Sequence, residues 1–493
     1  MEKYNITIVM PDKKGIIAPE LYGHFVEHIG GVVYDGLWVG KESEIPNVNG
    51  FREDIVEKLR AIQPAVIRWP GGCFAEVYNW RDGIGAKRPV RPSWWTGFDG
   101  KVEDNQVGTH EFVELCELVN AKPYFAVNVT SMTPMDARDW MDYCLSPKGT
   151  TTLALERESN GHPEPFEIPY WGVGNENWGG GGNMTADYYA LIYRQFATVL
   201  KNVCDKKTEL IAGGGTFHHY SWVRDFVDNI AGSSAFGTFV PINGLSLHYY
   251  CGSKDDGEHF TGEKWDELIL SAKKMETYIR QHYAFLEAYG LQNSIKLVID
   301  EWGCMYPGGE KKREGKQLYE QPSTMRDAVV TALTLNIFNN YCDCIKMANV
   351  AQVCNCLHSL FLTRGEECIV TPVYHVFDMF KGHQGAECLR TIDGEANKNV
   401  SVSASIKEDQ MTITLANLSC EKDVAINLEF LGLKQTIKEA GAYILAAEDM
   451  HAGNTFEKPE NVKPFYTKLD MSTPITVPKA GVVAVTVILE SIE

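Results

Sequence analysis

At 493 residues the chain exceeds one ordinary core, and its 44% hydrophobic and 23% charged residues belong to a folded globular protein, not a disordered or fibrous one. Forty-six Lys and Arg against 65 Asp and Glu give a formal charge of −19, a field that opposes nucleic acid and anionic lipid as partners. No run approaches the ~20 apolar residues of a membrane span, the first residues lack a secretory pattern, and 13 scattered cysteines fit reduced thiols, so a cytoplasmic protein is expected.

The chain opens on an alternating segment, Ile6–Met10. From about residue 18, short apolar runs then alternate with longer amphipathic stretches, the pattern of repeated βα units. Eight runs predict strands: Gly23–Ile29, Val66–Gly72, Pro123–Val129, Tyr170–Glu176, Leu210–Gly215, Leu245–Tyr250, Lys296–Trp302 and Ile345–Gln352. Most lack polar alternation, as strands covered on both faces should. Thr185 precedes a helical stripe of Ala186, Tyr189, Ala190, Tyr193, Phe196, Ala197 and Leu200. Ser323 precedes another, carrying Ala328, Val329, Ala332, Leu333 and Ile337. Both stripes are expected to pack on the sheet.

Beyond about residue 385 the segments become closely spaced and alternating, as in Val400–Ile406, Met411–Leu415 and Val482–Ile488. That spacing predicts a β-sandwich, to which Ile6–Met10 can add. The expected architecture is therefore an α/β fold: a (β/α)8 TIM barrel over residues 18–384, with a C-terminal all-β sandwich made of 385–493 together with 1–17.

Two of the apolar runs end in acids. Tyr170-Trp-Gly-Val-Gly-Asn-Glu176 closes the fourth expected strand, and Lys296-Leu-Val-Ile-Asp-Glu301 the seventh. Active sites of such barrels lie at the C-terminal strand ends, so Glu176 and Glu301 should face one mouth. The structural alternative for either is a buried ion pair or a helix cap. Glycoside hydrolysis needs two such carboxyl groups, and nothing in it requires a metal or cofactor. The pairs Cys342/Cys344 and Cys354/Cys356 lack the usual zinc spacing and read as small buried residues on strands; no metal is expected. Five tryptophans, Trp38, Trp94, Trp95, Trp178 and Trp302, could stack on sugar rings or belong to the core.

Asn-Glu after Gly-Val-Gly, matched with Asp-Glu-Trp-Gly three βα units later, resembles the barrel glycosidases with catalytic Glu on strands four and seven. Tyr22–Gly30, Arg68-Trp-Pro-Gly-Gly-Cys-Phe74, Tyr78–Gly85, Ser246-Leu-His-Tyr-Tyr250 and Ala348-Asn-Val-Ala-Gln352 extend the likeness over nearly the whole chain. Within that superfamily the chain resembles glycoside hydrolase family 51, the α-L-arabinofuranosidases. The resemblance implies Glu176 as general acid/base and Glu301 as nucleophile of a retaining double displacement. It also implies Asn175 on the sugar 2-hydroxyl, with Glu27, Tyr250 and Gln352 binding the furanose. His248 is expected to support the nucleophile or its neighbours, and Arg68 to lie beneath the two acids and keep Glu301 ionised.

Two departures bear on specificity: Cys73 stands where other members carry Asn, and the nucleophile is followed by Trp302-Gly-Cys-Met-Tyr306. At Cys73 a side-chain amide contact to substrate gives way to a backbone N–H. The implied substrates are arabinose-containing oligosaccharides of arabinan or arabinoxylan, cleaved from their ends. The resemblance further implies a homo-oligomer, often a hexamer. An endo-β-1,4-glucanase or xylanase on the same scaffold is the nearest alternative; a non-catalytic carbohydrate-binding protein is disfavoured by the presence of both acids.

Overall fold

A computed structural model describes residues 2–97, 101–204, 207–231, 240–394 and 399–490. Eight parallel strands close into a barrel in chain order: Gly23–Phe25, Val66–Trp69, Lys122–Val127, Tyr170–Val173, Glu209–Ala212, Gly244–Cys251, Lys296–Cys304 and Ile345–Ala351, the last pairing back onto the first. Each expected strand is present. Val66, Tyr124, Tyr170, Ile211, Val298 and Met347, from six different strands, form one buried cluster that fills the barrel axis.

The strand ends differ from expectation in an informative way. The fourth strand stops at Val173, because Gly174 (φ 90°) turns the chain; a Cβ there would meet the Asn177 side chain at 2.3 Å. Glu176 therefore sits on a loop above the barrel. Its own φ is 41°, in the left-handed region that a residue with a Cβ occupies only at a cost. Surrounding contacts must offset that cost, and the loop supplies them below.

The two anticipated helices run Ala186–Leu200 and Met325–Asn340. The first starts after Thr185, although the Thr185 hydroxyl makes no capping bond. In the second the cap is Thr324, not Ser323: Thr324 and Asp327 form a reciprocal capping box. This helix is buried on every side, not along one stripe. Its apolar residues pack inward, while Asn336 and Asn339 meet the C-terminal domain. Asn336 Oδ1 accepts from Ser403 Oγ (2.8 Å) and Thr414 Oγ1 (2.6 Å), and Asn339 Nδ2 donates to Ser403 Oγ (3.0 Å). A hydrophobic-period reading cannot see this polar face, because a buried network imitates a solvent-exposed one.

The all-β domain is one hydrogen-bonded sheet of nine strands, in the order Phe465–Lys468, Ile437–Leu445, Val482–Leu489, Gln410–Asn417, Val400–Lys407, Glu387–Asp393, Glu2–Ile16, Val424–Leu431 and Ile475–Val477. The N-terminal strand pairs with residues 387–393 and 424–431, so it joins this sheet as expected. The sheet curls until Asn417 Nδ2 donates to Val477 O (3.2 Å) across its far edge, and the two layers enclose a second core of Ile8, Ile413, Val485 and their neighbours.

The Cys-x-Cys pairs do not lie on strands. Cys342 and Cys344 precede the eighth barrel strand and Cys354 and Cys356 follow it; all four are buried. Among the described residues no helix is long and apolar enough to cross a membrane.

Candidate active site

The polar residues expected to act on substrate lie at the C-terminal mouth of the barrel. Glu27 follows the first strand, Arg68 ends the second, Asn175 and Glu176 follow the fourth, His248 and Tyr250 end the sixth, Glu301 lies near the end of the seventh, and Gln352 follows the eighth. A Glu176 carboxylate oxygen, a Glu301 carboxylate oxygen and a His248 ring nitrogen lie within 4.8 Å of one another.

Glu301 is buried and fully engaged. Arg68 Nη1 donates to its Oε1 (2.8 Å), and the Tyr250 hydroxyl to its Oε2 (2.9 Å). Burial pushes its pKa up, His248 and Arg68 pull against that, and the charge of Glu176 adds to the rise. Tyr250 remains a phenol donor, since burial first and Glu301 next raise its pKa far above the ordinary value.

His248 joins three acids: Nε2 lies 2.8 Å from Asp300 Oδ1, and Nδ1 lies 2.9 Å from Glu176 Oε1 and 3.4 Å from Glu301 Oε2. Burial disfavours its charged form, but Glu301 and Asp300 outweigh burial and hold its pKa well above the usual histidine range. The ring is an imidazolium that donates from both nitrogens. It contacts both acids and Asp300.

Arg68 lies beneath the acids as expected, its guanidinium 4.7 Å from the centre of the Phe25 ring. Besides Glu301 it donates from Nη2 to Asn175 Oδ1 (2.5 Å), which fixes the amide orientation. Asn175 Nδ2 is thereby turned toward the open side, 3.9 Å from Cys73 Sγ. Cys73 Sγ also lies 3.7 Å from Glu176 Oε2. Half-buried beside the acids, Cys73 has its thiol pKa raised by burial first and by Glu176 next.

Glu27 and Gln352 form a closed pair: Glu27 N donates to Gln352 Oε1 (2.9 Å), and Gln352 Nε2 to Glu27 Oε2 (3.0 Å). Phe74 N donates to the other oxygen (3.0 Å). Gly72 permits this approach, because a Cβ there would stand 2.7 Å from Glu27 Oε1. Burial foremost, then the charge of Glu301, push the Glu27 pKa up to about 8. A carboxyl whose folded pKa exceeds its unfolded one stabilises the fold fully below the unfolded value, and that stability is lost as pH rises through the folded value. The stability of the protein relative to Glu27→Gln is therefore expected to fall between pH 4.5 and about 8 and to level off above. Denaturant melts at several pH values read this directly; a pH-independent difference would reject it.

Sequence reasoning passed over two buried acids. Asp300 accepts from Ser246 Oγ (2.8 Å), the Tyr124 hydroxyl (2.9 Å) and His248, and although burial opposes its ionisation, Arg68 and His248 hold its pKa far down. Glu76 accepts from the backbone N–H groups of Val129 (2.8 Å), Thr130 (2.9 Å) and Asn175 (2.7 Å), and from Asn177 Nδ2 (3.0 Å). These bonds hold the strained Glu176 loop. The available signal for Asp300 was its place beside Glu301; Glu76 sits in a short helical turn and offered none.

The tryptophans divide. Trp38 and Trp302 are core residues, Trp302 packing on Phe338 and Phe377. Trp94 is exposed and edge-on to Trp95, whose carbonyl accepts from Gly30 N (2.7 Å) at the barrel mouth. Trp178 is half-buried beside Glu176 in sequence.

Known proteins share the sequence and the fold. Residues 58–240 match the alpha-L-arabinofuranosidase 1 domain, and residues 300–480 the alpha-L-arabinofuranosidase C-terminal domain. The chain is 38% identical to an intracellular exo-alpha-L-arabinofuranosidase of Bacteroides ovatus, covering 93% of this chain and 90% of that one. It is 28% identical to an intracellular exo-alpha-(1->5)-L-arabinofuranosidase of Bacillus subtilis, covering 94% of each. The crystal structure of the GH51 arabinofuranosidase from Xanthomonas axonopodis pv. citri superposes with a TM-score of 0.91 at 33% identity, over 99% of this chain and all of that one. The closed barrel, the curled C-terminal sheet and the acids at the mouth thus belong together, and the chain is a glycoside hydrolase that belongs to the α-L-arabinofuranosidases of family 51.

Proposed function

We propose that this enzyme acts inside the cell as a retaining, exo-acting α-L-arabinofuranosidase, releasing terminal arabinofuranosyl groups from arabinan or arabinoxylan oligosaccharides. The barrel of residues 18–384 carries the chemistry, and 385–493 with 1–17 form the supporting sheet domain. The observation that carries the mechanism is the approach of the two acids: a pair of their carboxylate oxygens within 4.8 Å favours the ~5–5.5 Å spacing of retaining glycosidases over the ~6.5–9.5 Å of inverting ones.

In this reading Glu301 attacks the anomeric carbon while Glu176 protonates the departing oxygen. Arg68 and Tyr250 hold the nucleophile as a carboxylate and fix its line of attack. Glu176 engages His248 through Oε1, and Oε2, beside the weak Cys73 thiol donor at 3.7 Å, faces the leaving oxygen. Once the glycosyl ester forms, the charge on Glu301 is spent, and Glu176, now deprotonated, takes a proton from the water that attacks the ester. Asn175 Nδ2, freed by Arg68's hold on Oδ1, meets the 2-hydroxyl where such bonds strengthen in the transition state. Glu27 and Gln352 bind the outer hydroxyls, and their enclosure suits a terminal sugar.

Two relatives named intracellular, and named exo-acting, support the location and the mode of attack. Proton NMR during hydrolysis reports both sugar and anomer: α-L-arabinofuranose is the expected first product. A first-formed β anomer would overturn the mechanism, and activity on carboxymethyl-cellulose with none on p-nitrophenyl α-L-arabinofuranoside would overturn the substrate.

A further inference from the structure

A second group of chemically active side chains lies behind the acids. Cys304 stands three residues past Glu301 at the end of the seventh barrel strand, Asp327 in the first turn of the Met325–Asn340 helix, and His358 on the loop after Gln352. All three are buried, and one ligand atom from each, the thiol sulfur, a carboxylate oxygen and an imidazole nitrogen, lies within 4.8 Å of the other two. Gly303 makes the approach feasible, since a Cβ there would stand 2.6 Å from His358 Cβ.

Hydrogen bonding fixes which histidine nitrogen faces the cluster. Thr331 Oγ1 donates its only proton to Asp327 O (2.7 Å), so it accepts from His358 Nε2–H (2.7 Å). A neutral His358 then presents a bare lone pair at Nδ1. That atom is fully buried and has no hydrogen-bond partner, and it faces Asp327 Oδ1 at 3.6 Å, too far for a direct bond. A lone pair, a carboxylate and a sulfur converging in a dry pocket need a positive charge, either a proton on Nδ1 or a cation between them.

We infer that Cys304, Asp327 and His358, with Cys251 as fourth donor, form a buried structural site for a zinc-like divalent cation. The spacings fit tetrahedral coordination. Nitrogen and oxygen each ~2.0–2.1 Å from zinc stand about 3.4 Å apart, and two sulfurs at ~2.3 Å about 3.8 Å apart. The observed separations are 3.6 Å for His358 Nδ1 to Asp327 Oδ1 and 3.7 Å for Cys251 Sγ to Cys304 Sγ. Cys251 Sγ also lies 3.4 Å from Gly303 O, and its approach to Cys304 Sγ makes it the fourth donor.

The surroundings complete the site. Thr331 on Nε2 is the outer partner that orients a ligating histidine, and the Tyr306 hydroxyl donates to Asp327 Oδ1 (3.0 Å). The Cys304 thiolate and Asp327 carboxylate neutralise the cation, while the neighbouring Arg326 guanidinium is paired with Asp255 (2.6 Å). Binding displaces to solvent the two thiol protons and the Nδ1 proton of the His358 imidazolium. The bare competitor for the cation is a proton: burial disfavours a charged His358, but Cys304 and Asp327 raise its pKa to about 10. A metal here ties the seventh strand, which carries Glu301, to the loop whose His358 N donates to Ala351 O (2.8 Å) next to Gln352.

The test uses the full-length chain produced in cobalt-supplemented minimal medium. The expected result is about one cobalt per chain with a sulfur-to-cobalt charge-transfer band, both lost in Cys304→Ser and retained in Cys344→Ser. Wild-type protein holding less than about a tenth of an equivalent of cobalt and zinc together would overturn the site and leave His358 as an imidazolium paired with Asp327. Stoichiometric metal that survives Cys304→Ser would overturn it equally. If Cys304→Ser does not fold, X-ray absorption of the wild-type cobalt protein decides: sulfur in the coordination shell supports the site, and a shell of nitrogen and oxygen alone rejects it.

Discussion

Replacing Glu301 with alanine is expected to lower kcat on p-nitrophenyl α-L-arabinofuranoside by about 10,000-fold or more, because no covalent intermediate can form without it. The site's wiring sharpens how this should be measured. Glu301 accepts from Arg68 and Tyr250 and lies 3.4 Å from His248, so the alanine leaves two buried cations short of an acceptor. A loss of activity from unfolding must be separated from a loss of chemistry. Glu301→Gln retains volume and one acceptor oxygen while removing the charge; it should lose activity comparably and melt closer to wild type. Azide supplies the decisive arm. Filling the space vacated in Glu301→Ala, it should attack the face Glu301 used and yield the inverted β-L-arabinofuranosyl azide. Activity within a few-fold of wild type in the alanine variant would mean that another group is the nucleophile.

How far the sequence carried this reading depended on whether each feature had a local signature. The eight barrel strands were legible because strands buried on both faces leave unbroken apolar runs, and Glu176 and Glu301 because a charge closing such a run is conspicuous. Their spacing was not legible, since a separation of 125 positions says nothing of how a closed sheet brings the two together. The left-handed Glu176 was hidden too: its conformation is imposed from outside by Glu76, a residue about 100 positions earlier that gathers four donors around the loop. Asp300 was masked by its neighbour, because a strand-end acid pair draws attention to the one that faces the mouth. The helix Met325–Asn340 shows a different gap: its apolar stripe was legible, but nothing local marked Asn336 and Asn339 as the residues that bind a second domain. Cysteine spacing, by contrast, misdirected: local Cys-x-Cys pairs drew the zinc question to the wrong thiols, whereas Cys251 and Cys304 are distant in sequence and adjacent across two paired strands.

For Glu176→Ala the expected loss depends on the leaving group, and that dependence identifies the role. An arabinan oligosaccharide departs as a poor alkoxide unless protonated, so its kcat/KM should drop about 100- to 10,000-fold, the usual range for a lost general acid. p-Nitrophenolate departs without help, so its glycosylation step should suffer far less. Deglycosylation still needs a base, however, so the ester on Glu301 accumulates, a burst of nitrophenol appears, and kcat and KM fall together. Azide again discriminates, because it needs no base: it should restore turnover and give the retained α-L-arabinofuranosyl azide, opposite in configuration to the product of Glu301→Ala. The substitution should leave the fold intact. Glu176 is the more open of the two acids, with its side chain 20% exposed, and the positive φ costs alanine no less than glutamate, so no strain is released or added. What changes is His248, which loses one of three acidic neighbours but keeps Asp300 at 2.8 Å and so remains charged. An equal loss on both substrates, with no burst and no response to azide, would mean that Glu176 only positions His248 and Glu301, and the proton donor would have to be sought elsewhere at the barrel mouth.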